Sequence, residues 1–138
     1  MIDAAVFTLL RTAAGSLVAE DSSPVRYRVY PLVIPQHESG DLTHIPCVVF
    51  AKVGASRSVR YSGTDNLVEA TYQVDCYAQT FLSAAQLADA VRTGAVDYSG
   101  TLSNTDIKNV NLTNEFSVED PDPGLFRITQ TYSIWFVE

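Results

Sequence analysis

Apolar side chains near the start of the chain recur at the spacing of one helical face. In residues 2–14 this stripe consists of Ile2, Val6, Leu9, Leu10 and Ala13. The period predicts an amphipathic helix that packs on a sheet. The Asp3 carboxylate would lie at the positive end of the helix dipole, and Gly15 would end the helix.

Three segments between residues 27 and 79 have the patterns of strands. Residues 27–32 predict a short strand interrupted by prolines, and the polar stretch 36–46 predicts a surface loop. Residues 47–53 form a nearly continuous apolar run, as expected of a strand covered on both faces. The segment 69–79 alternates, and its apolar face would carry Ala70, Tyr72, Val74, Cys76 and Ala78.

A second helix and two long strands complete the pattern. Thr80 or Ser83 can cap the helix, with Gln86 completing a capping box with Ser83. Its inward stripe is made of small residues and leucine, and Gly94 is expected to end or loosen it. The strands, at about 107–118 and 125–137, are joined by a turn at 119–124 that contains two prolines and a glycine.

This order of elements predicts an α+β fold in a single domain over residues 1–138. We expect a single, mostly antiparallel sheet of four to five strands with two helices packed on one face. Two helices cannot cover both faces of such a sheet. The other face, which would hold Tyr77, Arg127 and Trp135, should be partly open or covered by a partner.

Composition and charge exclude several classes of function. The chain is 46% apolar and 18% charged, which is typical of a globular protein. It has neither an apolar run long enough to cross a bilayer nor the basic start of a signal peptide, so we expect it in the cytoplasm, without a membrane partner. The net charge is −7, and only the pairs Arg26/Arg28 and Arg57/Arg60 lie close together in the sequence. We therefore do not expect the chain to bind the phosphate backbone of a nucleic acid.

The residues that could carry chemistry do not form a site. His37, Glu38, Asp41 and His44 have no common zinc spacing, and the acidic turn at 119–122 lacks the ligand order of a calcium loop. Cys47 and Cys76 lie in predicted strands and are expected to be buried, inert thiols. Asp75 has no second acid at useful spacing, so we expect a surface or interface carboxylate there, not a general base. We therefore expect no enzymatic activity, no cofactor and no metal.

Two stretches resemble a known family. The stretch from Glu69 to Phe81 and the helix from Ala84 to Arg92 are similar to the tail-completion, or tail-terminator, proteins of long-tailed bacteriophages and related prophages. The N-terminal helix, Val29-Tyr30-Pro31, the run from Ile45 to Phe50 and the closing pair of strands follow in the order of that family. The segments 31–46 and 119–124 are less similar to it.

The resemblance implies a structural virion assembly protein, made in the host cytoplasm and located at the head-proximal end of the tail. Members of such a family form a ring, commonly of six subunits, that caps the tail tube, ends its polymerisation and offers a head–tail joining surface to connector proteins. An acidic ring would let DNA pass through without specific binding. The alternatives are another neck, connector or tail-tube component of related fold, and a small ligand-binding domain.

The segment 54–68 is the candidate contact region. It separates two strands that should pair, it is too long for a tight turn, and we expect it to be a functional loop. Its candidate subunit or tube contacts are Arg57, Arg60, Tyr61 and Asp65. The candidate acidic partner patch on a neighbouring subunit is Glu119, Asp120 and Asp122.

Overall fold

The computed structural model describes residues 2–18, 29–31, 46–60, 63–119 and 126–137. Its helices are α1 (Ile2–Ala14), followed by a short 3₁₀ turn (Gly15–Leu17), and α2 (Phe81–Ala95). Its strands are β1 (Val29–Pro31), β2 (Cys47–Arg60), β3 (Gly63–Ala78), β4 (Gly100–Leu102), β5 (Thr105–Glu119) and β6 (Phe126–Val137).

The six strands form one mixed sheet in the order β1-β2-β3-β6-β5-β4. Strand β1 is parallel to β2, and the other neighbouring pairs are antiparallel. The long central pair, β3 and β6, runs in register from Leu67 beside Val137 to Ala78 beside Phe126. The α+β class is therefore confirmed, but the sheet has more strands than the four to five expected.

The additional strand is β4, which forms a tight hairpin with β5. Ser103 and Asn104, the two residues between them, both have positive φ, as a type I′ turn requires. With three residues, β4 is too short to produce a recognisable alternation in the sequence. The sequence therefore does not distinguish β4 from the turn residues around it.

The expectation of a loop over 54–68 was wrong for residues 54–60 and 63–68, which lie in strands. Residues up to Arg60 continue β2, and residues from Gly63 already belong to β3. The pairing continues past Gly54, beside Thr71, to Arg60, beside Gly63, with irregularities at two places. Gly54, Ala55 and Ser56 are exposed, so this part of β2 lacks the apolar alternation that reveals half-buried strands.

Both helices pack on the same side of the sheet. The predicted stripe of α2 (Ala84, Leu87, Ala88, Val91) is buried, as are most of the stripe residues of α1. They share one core with the alternate residues of β3 and β6, so the predicted inward face of β3 is confirmed. Cys47 and Val49 point to the opposite side, where they form a small second cluster with Tyr30 and Tyr77.

The observed helix ends agree in part with those predicted from the sequence. Gly15 follows α1 with a φ of +52°, a left-handed conformation that favours glycine at this position. Thr80 is the cap of α2: its Oγ1 accepts a hydrogen bond from the Ser83 backbone N–H at 3.1 Å. Gly94 lies one residue before the end of α2 at Ala95, close to the predicted end, and it also lies against α1.

Candidate interaction surfaces

The two candidate contact regions lie at opposite ends of the sheet. Arg57 pairs with Val68 at the end of the sheet that we call the basic end, together with Arg60 and the first residues of β3. Glu119 pairs with Phe126, which in turn pairs with Ala78, at the other end, called the acidic end. Ten residues of β3 separate Val68 from Ala78, which corresponds to roughly 33 Å.

The remaining candidate residues follow from this arrangement. Asp65 lies in β3, so its backbone is also at the basic end. Tyr61, Asp120 and Asp122 lie outside the described residues. The structure therefore brings Arg57, Arg60 and Asp65 to one end and keeps Glu119 away from them.

The acidic end also carries exposed apolar side chains. Phe81 and Leu82, in the first turn of α2, are 54% and 69% exposed, although both are large and apolar. The Phe81 ring meets the Phe126 ring edge to face, with centroids 6.4 Å apart. These side chains add an apolar patch beside the backbone of Glu119, which the sequence analysis had not identified. The signal was present in the sequence, since Phe81 and Leu82 fall outside the inward stripe of α2.

The sheet face without helices, called the open face, is lined mainly by polar side chains. Across its central strands Glu69 faces Trp135, Gln73 faces Thr131, and Tyr77 faces Arg127. The expectation that this face is only partly covered agrees with the exposure of these residues, which are all half-buried.

Asp75 on this face is more buried than the sequence suggested. It is 9% exposed, and its Oδ1 accepts a hydrogen bond of 2.7 Å from the Thr129 hydroxyl. The Gln73 amide donates to its other oxygen at 3.4 Å. We had expected a surface or interface carboxylate. These partners make Asp75 a cross-strand anchor between β3 and β6.

A polar network inside the core joins α2 to the sheet. Gln130 is fully buried, and its amide nitrogen donates to the Ala88 carbonyl at 3.0 Å and to Glu115 Oε2 at 3.1 Å. The Tyr132 hydroxyl donates to the Gln130 amide oxygen at 2.8 Å, and burial raises the pKa of Tyr132 well above its usual range. The sequence pattern did not predict this network. Gln130 occupies an inward position of β6, and a polar residue at such a position indicates a buried side chain that needs hydrogen-bond partners.

A second polar contact fixes the start of α1 to β3. The Tyr72 hydroxyl donates to Asp3 Oδ1 at 2.5 Å, and Lys52 Nζ lies 3.9 Å from the same oxygen. Burial, and then the bond to Asp3, raise the pKa of Tyr72 well above its usual range. Asp3 therefore does more than face the helix dipole, because it also accepts a long-range hydrogen bond.

The thiols are buried as predicted. Neither Cys47 nor Cys76 forms a disulfide bond, and both are fully buried. They lie on opposite faces of the sheet, Cys76 in the main core and Cys47 in the small cluster. Burial, followed by the negative charge of Asp75, raises the pKa of the Cys76 thiol well above its usual range. A thiol in this state is a poor nucleophile.

Metal ligands and membrane spans can be judged only for part of the chain. Residues 37–44, with both histidines, lie outside the described residues, as does the acidic turn apart from Glu119. Among the described residues, no group of three or more His, Cys, Asp or Glu side chains could hold a metal ion. Within the same residues neither helix has the length and apolar character needed to cross a membrane.

The comparisons with known proteins agree with this arrangement of elements. A family model described as Tail completion protein gp17 matches residues 4–137. A chain in the virion of a native gene transfer agent (GTA) particle superposes with a TM-score of 0.65 at 15% identity, covering 99% of this chain and 95% of that one. At this identity the likeness shows a shared fold. A comparison with curated protein sequences gives no match.

Proposed function

The chain belongs to the tail completion protein gp17 family, and from this premise we propose that it forms a ring that caps the tail tube. Membership makes it a structural component of a phage tail, not an enzyme. The proposal adds that about six subunits form the ring, which stops growth of the tube and offers a joining surface to a connector protein on the head side.

The opposite placement of the basic and acidic ends carries the proposal. Arg57 and Glu119 are too far apart to meet within one chain, since their strand positions differ by roughly 33 Å. A contact between these ends therefore needs a second copy, and it joins two different patches. Such heterologous contacts generate a ring when the rotation between subunits closes.

The same contact explains the apolar patch at the acidic end. Phe81 and Leu82 would remain exposed in a monomer, whereas a neighbour seated on the acidic end would cover them. Burial of apolar area supplies most of the affinity of stable interfaces, and charge pairs set their orientation. We assign the orientation of the contact to Arg57 and Arg60, which would meet an acidic patch on the neighbour, and the turn at 119–122 is one candidate for that patch.

Assembly of the purified protein tests the proposal. Light scattering and negative-stain images should show closed rings, and added rings should shorten tubes grown from the tail-tube protein. Arg57→Glu with Arg60→Glu should leave the circular dichroism spectrum unchanged but abolish both rings and capping. The matched control, Arg11→Glu with Arg92→Glu, places the same charge change on the helices and should assemble normally.

Three outcomes would contradict the proposal in distinct ways. A wild-type protein that stays monomeric at high concentration and leaves tube length unchanged overturns the ring. A ring that binds the connector protein but does not limit tube length identifies another neck component. If the Arg57/Arg60 variant still forms rings and caps tubes, the basic end is not the contact.

A further inference from the structure

Two long strand segments have no strand on their outer side within the described part of the chain. Strand β1 covers β2 only at Val48–Phe50, which leaves residues 51–60 as the outer edge of β2. Strand β4 covers β5 only at Thr105–Ile107, and the Asp97 backbone N–H bonds the Val110 carbonyl at 2.9 Å. Residues 111–119 therefore form the outer edge of β5.

Edges of this length are unusual on a chain that stays alone. An uncovered strand presents a row of unsatisfied N–H and C=O groups, which another strand can pair with. Natural edge strands are commonly short, as β1 and β4 are here with three residues each. The outer edges of β2 and β5 contain ten and nine residues, so they are similar in length.

The two outer edges carry opposite charge. That of β2 contains Lys52, Arg57 and Arg60 and no acidic residue. That of β5 contains Glu115 and Glu119 and no basic residue. Opposite charges facing each other across two strands are favourable, and like charges are unfavourable. Each edge therefore repels a copy of itself and attracts the other.

The directions of the strands also suit pairing between copies. Three antiparallel steps lead from β2 through β3 and β6 to β5, so β2 and β5 run in opposite directions. When a second copy continues the sheet in the same orientation, its β2 lies antiparallel to β5. The centres of the two outer edges differ in height by roughly six residues, on the order of 20 Å. Strands inclined to the axis of a closed assembly accommodate such a stagger.

We propose that neighbouring copies of this chain join by strand addition, the outer edge of β5 pairing antiparallel with the outer edge of β2 of the next copy. The inference rests on the ring of the proposed function and specifies how its subunits are joined. With the two edges fully overlapped, Lys52 would lie beside Glu119, and Arg57 and Arg60 would lie beside residues 110–114 of the neighbour instead of its 119–122 turn. Main-chain hydrogen bonds would supply part of the affinity, as in other cases of strand addition. The sheets would then run continuously around the ring.

The pairing pattern identifies which backbone groups would make these bonds. The Val110 carbonyl points away from β6, since it accepts from Asp97, and orientations alternate along a strand. The bulge between Leu112 and Asn114 shifts the alternation by one residue. Asn114 therefore points towards β6, and Ser117 presents its N–H outward. Ser117 is exposed and faces Ile128 across the β5–β6 pair.

Proline at position 117 provides a direct test. Ser117→Pro removes an outward N–H and leaves the bonds between β5 and β6 in place, which is how prolines are tolerated on edge strands. We expect this variant to keep the circular dichroism spectrum of the wild type and to lose rings in negative-stain images. Ser117→Ala, which retains the N–H, should form rings like the wild type.

A charge exchange provides the second test. With the two outer edges fully overlapped in antiparallel register, Lys52 falls beside the last two residues of β5. Lys52→Glu or Glu119→Lys alone should weaken assembly about fivefold, as measured by light scattering. The double exchange should restore assembly. If Ser117→Pro does not fold, this exchange decides: restored assembly supports strand addition, and assembly that stays weak overturns it.

The results separate this inference from the proposed function. If the wild-type protein never assembles, both the proposed ring and the strand addition are contradicted. A wild-type protein and a folded Ser117→Pro variant that assemble equally well overturn the strand addition and leave the ring intact.

Discussion

Gly94 of α2 lies directly against Ala13 of α1. A Cβ atom added at Gly94 would lie 2.5 Å from the Ala13 Cβ and 2.8 Å from its Cα. Both distances are shorter than real carbon atoms permit, so one helix would have to move. The close approach explains why a residue with low helix propensity lies within the last turn of a helix.

This contact predicts a stability effect at position 94. Gly94→Ala should lower the free energy of unfolding by about 1–3 kcal/mol, because overpacking outweighs the gain in helix propensity. Urea denaturation would measure it. Gly54→Ala is the matched control, since nothing lies within 4 Å of a Cβ there, and it should change stability by less than about 0.5 kcal/mol. A Gly94→Ala variant as stable as the wild type would contradict the helix contact.

The buried network predicts a second effect. Gln130→Leu should destabilise the fold by about 1–3 kcal/mol, because the Glu115 carboxylate and the Tyr132 hydroxyl lose their shared partner. Gln73→Leu, on the half-exposed open face, should cost much less in the same urea experiment. Equal effects of the two substitutions would show that the network contributes nothing beyond a surface amide.

The cysteines predict slow chemistry in the folded state. Cys47 and Cys76 are both fully buried, and the pKa of Cys76 is raised by its burial. A thiol reagent at pH 8 should modify neither residue at an appreciable rate until denaturant is added, when both should react together. Fast modification of either thiol in the folded protein would contradict its position in the sheet.

The raised pKa values also predict a loss of stability in alkaline solution. Burial raises the pKa of Cys76, Tyr72 and Tyr132 in the folded state, so the folded chain holds these protons more tightly than the unfolded chain. Their contribution is complete below the unfolded values, about 8.5 for a thiol and about 10 for a phenol, and declines as the pH rises above them. Urea denaturation should therefore show stability falling from about pH 8.5 upward.

A substitution separates the tyrosine contribution from the thiol contribution. Tyr72→Phe lacks the phenol and should flatten the decline above about pH 10, although it is less stable near neutrality because its bond to Asp3 is lost. A variant with the same alkaline slope as the wild type would contradict the role of Tyr72.

The sequence predicted those parts of the fold whose side chains are sorted by burial. The alternation from Ala70 to Ala78 and the stripe of α2 were correct because one side of each element faces the core. The extension of β2 past Gly54 could not be predicted, since its first residues, Gly54, Ala55 and Ser56, are exposed and burial selects no apolar side chains there.

The candidate contact residues were predicted from their charge, but the distance between them in the fold was not predicted. Arg57, Arg60 and Glu119 stand out in the sequence, but only the strand register shows that they lie at opposite ends of one sheet. The hydrogen-bond partners of Gln130 could not be predicted for a related reason. A glutamine at an inward position is recognisable in the sequence, whereas its partners come from α2 and β5, which are distant along the chain.

The irregularities in β2 and β5 have a consequence for solubility. Register shifts fall between Lys52 and Gly54 and between Arg57 and Val59 in β2, and near Asn109 and Asn114 in β5. Bulges bend and twist a strand, whereas amyloid-like stacking requires flat, regular ones. The outer edges of β2 and β5 therefore fit a correspondingly bent strand and are poor templates for fibrils.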